Sequence, residues 1–185
     1  YTSLARALVE LFGSSVKIVQ TDRVSGGDIN KAYGLSLNTG DKIFMKANAK
    51  NNAAFFTAEA AGLNAIKSTG AISTPEILCT GTDDGEEVGY SFLLLKFIKS
   101  GGKKADYWET LGTELAAMHK ADTSAFIKRG NDKTDSKSDR KSAQSTDNTN
   151  APTNNKFGFF QDNFVGARAQ KNIPSSSWIN FFRDY

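Results

Sequence analysis

The 185-residue sequence contains a single cysteine, Cys79, which excludes an internal disulfide and any cysteine-based metal cluster. Such sparse cysteine fits a reducing compartment, and the expected location is the cytoplasm, or a plastid or mitochondrion if a transit segment was removed. His119 is the only histidine and has no Cys or His neighbour, so it cannot build a metal site alone. Its position at the end of "ELAAMHK" suits a helix-end charge or a structural hydrogen bond. No apolar run approaches the ~20 residues a membrane helix needs, and no signal peptide is visible. The net charge of +3 is too small to argue for a nucleic-acid partner. There is no internal repeat. The G-x-x-x-x-G-K-[ST] phosphate loop is absent, and so is a full G-x-G-x-x-G.

What is present is enough for a real core. Hydrophobic residues make up 39% and aromatics 11%, with 13 Phe. The polarity is concentrated in residues 130–156, where only two alanines and one proline are not polar, charged or Gly. Such a stretch cannot bury enough surface to offset the entropy of ordering, so it reads as a disordered insertion. Its mixed charges argue against a nucleic-acid tail.

Periodicity places the remaining elements. "SLARALVELF" (3–12) puts Leu4, Leu8 and Leu11 at helical spacing, with Ser3 as N-cap and Gly13 as stop. "VKIVQTDRV" (16–24) alternates as a strand. Residues 32–48 read as a hairpin with "NTGD" as its turn. Tyr33, Leu35 and Leu37 share one face with Ile43, Met45 and Ala47, so Lys46 points to the other. Residues 52–70 read as a helix capped by Asn52 and ended by Gly70. Its apolar stripe holds Phe56, Leu63 and Ile66, and also Glu59. An acid on that stripe needs a partner or is costly to bury.

Strands are expected at 76–82 and 89–98. The run "LLL" in the second predicts a central strand covered on both faces, and Cys79 is expected in the core. "KSGGKKA" reads as a linker. In the next helix, Asp106 and Glu109 resemble a capping box, and Trp108, Leu111, Leu115 and Met118 predict a buried stripe.

The order of these pieces suggests chemistry. A Gly26–Gly27 turn between strands precedes a third strand bearing Lys46, and then a helix with Glu59 on its inner face. Glycines let backbone N–H groups approach phosphates without Cβ interference. Lys46 would hold phosphate oxygens as a point charge, Glu59 would orient the lysine, and Asn30 would add a polar contact. This is the arrangement of kinase-like nucleotide sites. Each piece alone has a plainer explanation: a glycine turn is usually only a turn, and a strand lysine is usually solvated.

"SGGDINKAYGL", "IFMKAN", "AEAAGLNAIKSTGAISTPEIL", "LGTELAAMH", "FGFFQDNFVG" and "WINFFRDY" together resemble the fructosamine kinase (ketosamine-3-kinase) family, within the aminoglycoside-phosphotransferase-like kinases. The resemblance covers nearly the whole chain outside the insertion. It implies an α+β fold: a kinase-like N-lobe of about five antiparallel strands plus a packed helix, followed by the start of a helical C-lobe. The implied layout is N-lobe 1–99, hinge linker and first C-lobe helix 100–129, insertion 130–156, and partial C-lobe 157–185. The implied activity is transfer of phosphate from ATP, with Mg²⁺, to the sugar 3-hydroxyl of fructosamines or ribulosamines on protein amines. Carried across, Gly26, Gly27, Asp28, Ile29 and Asn30 form the nucleotide loop. Lys46 contacts the α/β-phosphates with Glu59 behind it, and Lys96, Phe97 and Ile98 form the hinge beside adenine. The expected partners are ATP and a ketosamine or glycated protein, with no membrane.

Two departures accompany the resemblance. Lys96 stands where the family usually carries an acid at the hinge. The H-G-D-L-W-x-G-N type catalytic loop and the following magnesium-binding Asp are not in the chain and are expected beyond Tyr185. The chain does not begin with Met, and it is expected to be the N-terminal part of a longer kinase, inert alone. The alternatives are a related choline- or aminoglycoside-type phosphotransferase and a non-catalytic nucleotide-binding remnant. Asp28 occupies the loop region where some relatives place a redox cysteine, so redox switching there is not expected. Asp162 and Asn163 fall near the expected substrate cleft. Trp178, Phe181 and Phe182 resemble a helix under the second lobe, and they are expected to be exposed without that lobe.

Overall fold

The computed structural model of the chain describes residues 1–25, 29–85, 88–126 and 157–184. The insertion predicted at 130–156 lies outside the described residues, as do Gly26, Gly27 and Asp28. The elements run α1 (Leu4–Phe12), β1 (Ile18–Val24), β2 (Lys31–Leu37), β3 (Lys42–Ala49), α2 (Ala53–Ser68), β4 (Ile77–Asp83) and β5 (Tyr90–Lys96). They continue with α3 (Tyr107–Lys120), β6 (Asn163–Val165), β7 (Arg168–Gln170) and α4 (Trp178–Asp184).

Five antiparallel strands form one sheet in the order β1-β2-β3-β5-β4. The two-residue period of a strand divides their side chains between two covers. On one face Leu35, Leu37, Ile43, Met45, Phe92 and Leu94 pack with Ala7 and Leu8 of α1. On the other Leu93 and Leu95 pack with Phe56 of α2, with Phe44, Leu63 and Ile77 partly buried around them. The run 93–95 therefore sits in an interior strand roofed on both sides, as expected.

α1 begins as its sequence dictates. The Ser3 hydroxyl accepts from the Arg6 N–H at 3.2 Å, and Gly13 closes the helix at a φ of 94° that disfavours other residues. Asp83, at the end of β4, accepts the Leu4 N–H at 2.7 Å and the Gly85 N–H at 3.0 Å. The Leu4 bond foremost holds the Asp83 carboxyl below its ordinary range.

Cys79 is buried in β4 against the α1 face, as predicted, and burial pushes its thiol up to about 11. At pH 8 its thiolate fraction is then about 100-fold below that of a free thiol of pKa 9.0. Native chain is therefore expected to react with iodoacetamide about 100-fold more slowly than urea-unfolded chain; equal rates would contradict this burial. Between pH 9 and about 11 the unfolded chain loses this proton while the folded chain keeps it, so stability falls as pH rises there.

Three expectations about the helices are corrected. Asn52 occupies the N-cap position of α2 without a side-chain cap bond; its amide donates instead to Asn48 Oδ1 at 3.0 Å. Asp106 likewise makes no cap bond with α3; its carboxylate accepts the Thr110 hydroxyl at 3.4 Å, so no capping box forms with Glu109. The predicted buried stripe of α3 is not buried: Trp108 is 67% and Leu115 40% exposed, and Leu111 and Met118 are half-buried. Helical spacing identifies an apolar face but not what covers it. Trp108 meets the Tyr107 ring edge-on and lies beneath the Lys103 ammonium, 4.3 Å from the ring centroid. His119 is exposed in the last turn of α3.

The chain divides into two compact units, one of residues 1–122 with 163–169 and one of residues 123–162 with 170–185. In the second, Phe157 and Ser175 form a bridge, and the rings of Phe157, Phe181 and Phe182 gather round Trp178. Trp178 and Phe182 are exposed, as expected, but Phe181 is only 6% exposed, because it turns into this cluster. The Asp162 carboxylate is held by Lys171 at 2.8 Å and by the Asn172 N–H at 3.0 Å.

Candidate nucleotide site

The pleat of β3 sends Ile43, Met45 and Ala47 to the α1 face and leaves Phe44 and Lys46 on the α2 face. Lys46 is flanked by Ala32 on β2 and Leu93 on β5, both buried. Neither flanking side chain offers the lysine a polar partner. α2 supplies one: Lys46 Nζ donates to Glu59 Oε1 at 2.5 Å. The helix is fixed by Phe56, 1% exposed, which sits one turn before Glu59 and anchors it to Leu93 and Leu95. The acid on the apolar stripe has therefore found the cation that burial demanded. The pair is not sealed; the two side chains remain 30% and 29% exposed. An ammonium has three donor hydrogens, and Glu59 takes one, so two remain on a side chain that is part-exposed.

The loop carrying Gly26, Gly27 and Asp28 lies outside the described residues, but its trailing end is held by a residue that sequence reasoning gave no role. Asn48, two residues after Lys46, donates its amide to Asn30 Oδ1 at 2.7 Å and to the Ile29 carbonyl at 3.3 Å. Its Oδ1 accepts from Ala49 N at 2.7 Å and Asn52 Nδ2 at 3.0 Å. Beneath it, the fully buried Ser91 hydroxyl donates to the Ala49 carbonyl at 3.0 Å. The signal was present in "IFMKAN", where strand period two puts Asn48 on the face of Lys46. Asn48→Asp keeps the volume, but it aims a carboxylate at two acceptors and leaves them unpaired. Amide exchange at residues 29–31 is expected to speed up about tenfold; unchanged exchange would show that Asn48 does not hold the loop.

The hinge residues divide. Lys96 closes β5 with its N–H on the Glu76 carbonyl, and its exposed ammonium meets Glu76 Oε2 at 3.3 Å, away from the Lys46 pair. The Phe97 ring lies under the Lys42 ammonium, 4.8 Å from its centroid, and Lys42 also reaches Asp22 Oδ2 at 3.2 Å. The Gln20 amide and then Lys42 hold the Asp22 carboxyl below its ordinary range. A Cβ at Gly34 would stand 3.1 Å from Lys42 Cε, so a larger residue there would shift the lysine by a few tenths of an ångström. Ile98 is 65% exposed.

A cavity of about 290 Å³ opens beside the ion pair, lined by Ile29, Asn30, Phe55, Ala58, Glu59 and Phe164 among others. A larger one, about 490 Å³, is lined by Tyr33, Met45 and Ala47 of the α1 face and also by Ile29 and Asn48. The chemistry follows the ion pair rather than the volume. Among the described residues no three His, Cys, Asp or Glu side chains gather as a metal site, and no helix is long and apolar enough to cross a membrane.

A five-stranded antiparallel sheet, a packed helix and a strand lysine tethered to a helix glutamate define the N-lobe of a kinase-like fold. The sequence pattern of the fructosamine kinase family matches residues 1–185, and the chain belongs to that family. Among its relatives is a probable ketoamine kinase of Synechocystis sp., 29% identical over 100% of this chain and 51% of the relative. Another is a chloroplastic protein-ribulosamine 3-kinase of Arabidopsis thaliana, 31% identical over 92% of this chain and 42% of the relative. The crystal structure of a candidate fructosamine-3-kinase from Haemophilus somnus shares the fold, with a TM-score of 0.69 and 22% identity over 97% of this chain and 49% of that one. The chain thus spans about half the length of the relatives it matches.

Proposed function

We propose that this chain carries the ATP-binding half of a kinase that phosphorylates the sugar 3-hydroxyl of ketosamines, ribulosamine or fructosamine, borne on protein amines. The phosphorylated adduct is unstable and is shed, so the net result is protein deglycation. The observation that carries this reading is the Lys46–Glu59 pair, 2.5 Å apart and part-exposed on the face reached by the loop end at Ile29–Asn30. Membership of the fructosamine kinase family supports the substrate class.

The residues fit a nucleotide triphosphate. Lys46 presents its remaining donors to α- and β-phosphate oxygens, while Glu59 keeps it from swinging into solvent. The glycine-loop role assigned to residues 26–30 is to offer backbone N–H groups to the phosphates, and Asn48 holds the described end of that loop at Ile29 and Asn30. Main-chain groups of residues 96–98 border the adenine. Mg²⁺ bound with the phosphates would neutralise their charge, and among the described residues no cluster of three His, Cys, Asp or Glu would hold it.

Titration of the chain with Mg-ATP by calorimetry, and phosphate transfer from labelled ATP to fructoselysine or ribuloselysine by the protein at its natural length, test the two halves of the proposal. Saturable one-site binding and label on the sugar are expected. Absence of binding refutes the nucleotide site, and binding without transfer to either ketosamine refutes the substrate class.

A further inference from the structure

Glu59 must be presented at one distance from Lys46, yet α2 is held to the sheet by only one fully buried side chain, Phe56. The helix also carries Gly62 at its middle, three residues past Glu59, where nothing lies within 4 Å of a notional Cβ. Such a position loosens a helix rather than packing it. A second restraint is present on another flank. Phe55 lies one helical turn before Glu59, and residues four apart neighbour one another along a helix surface. Its ring meets the edge of the Phe164 ring with centroids 4.2 Å apart and planes at 62°, an edge-on contact closer than the ~4.5–7 Å usual for aromatic pairs.

Phe164 comes from β6, far along the chain, in the hairpin with β7 that turns at Gly166 with a φ of 61°. Residues 163–169 belong to the same compact unit as the sheet and α2. The hairpin forms the outer wall of the 290 Å³ cavity onto which Glu59 and Asn30 open. Beside Phe164, Asn163 Oδ1 is buried and has no hydrogen-bond partner. A buried acceptor left unpaired is costly and uncommon, so the hairpin is seated here by something other than its own polar satisfaction. The side-chain contact that links the hairpin to α2 is the Phe55–Phe164 ring pair.

We propose that Phe164 is a positioning residue: the hairpin of β6 and β7 clamps α2 through Phe55 and thereby sets Glu59 against Lys46. The clamp is a property of the fold, and only its effect on ATP rests on the function proposed above. The sequence cue is the "DNFVG" segment, whose phenylalanine had no assigned role.

The test compares the unsubstituted chain with Phe164→Ala, Phe55→Ala, the double variant and Phe164→Tyr, which keeps the ring. Amide exchange is followed without nucleotide, and Mg-ATP affinity is measured separately. In Phe164→Ala the amides of residues 55–62 are expected to exchange about tenfold faster while β3 and β5 are unchanged. ATP affinity is expected to fall about fivefold, with the double variant no worse than either single one, since both remove one contact. Phe164→Tyr is expected to match the unsubstituted chain. Unchanged exchange in α2, uniformly faster exchange through sheet and helix, or additive single effects would each overturn the clamp. Phe164→Leu is held to the same criteria if the alanine variant does not fold. If the unsubstituted chain binds no ATP, the nucleotide reading fails, and the clamp is decided by the exchange data alone.

Discussion

Lys46→Ala is expected to weaken Mg-ATP binding at least about 30-fold, close to 2 kcal/mol, because it removes charge-assisted hydrogen bonds to phosphate. The same substitution should barely change thermal stability. Lys46 and Glu59 are each about 30% exposed, and partly solvated ion pairs contribute about 0–1 kcal/mol. This split between lost affinity and retained stability separates a phosphate-binding lysine from one that merely neutralises a semi-buried glutamate. Calorimetry with ATP and a melting curve on one preparation check both halves. A large fall in stability with unchanged affinity would make the pair structural. Glu59→Gln should fall between the two, because the amide still accepts from the ammonium but without the charge.

Phe56→Ala attacks the same site from beneath. Phe56 is 1% exposed and is the only fully buried side chain of α2. Truncating it removes its contacts with Leu93 and Leu95 and leaves a cavity between helix and sheet. Such changes cost about 3–5 kcal/mol, so the melting temperature should drop by about 10 °C or more for a unit of this size. Because α2 carries Glu59, the folded fraction should also bind ATP more weakly. Denaturant unfolding gives the stability change directly. A loss below about 1 kcal/mol would mean that α2 is not seated by this residue.

These effects also show why parts of the molecule could be read in advance. The β2–β3 hairpin and the direction of Lys46 followed from period-two alternation, which forces Met45 and Lys46 to opposite faces. Glu59 was legible because a carboxylate on an apolar stripe is costly without a cation nearby. The run 93–95 was legible because only a strand covered twice tolerates it. Other residues were illegible because their roles are set by partners distant in sequence. Asn48 acquires meaning only when folding brings residues 29–30 within reach of its amide. Phe164 acquires it only when β6 lands on α2. Trp108 looked like core because its spacing marked an apolar face, yet nothing in that spacing specifies a cover, and the ring is 67% exposed. The capping box at Asp106 failed for a local reason: its carboxylate accepts the Thr110 hydroxyl rather than a free N–H of the first turn.

The most direct test of the nucleotide site is chemical. An acyl-phosphate derivative of ATP, which transfers its acyl group to an amine lying beside the bound phosphates, is mixed with the folded chain, and modified lysines are mapped by mass spectrometry. The structure predicts acylation concentrated on Lys46, suppressed by excess ATP, while exposed Lys96 and Lys171 react weakly and without regard to ATP. Labelling that spares Lys46, or that ATP does not diminish there, would contradict a phosphate-facing lysine and the function built on it.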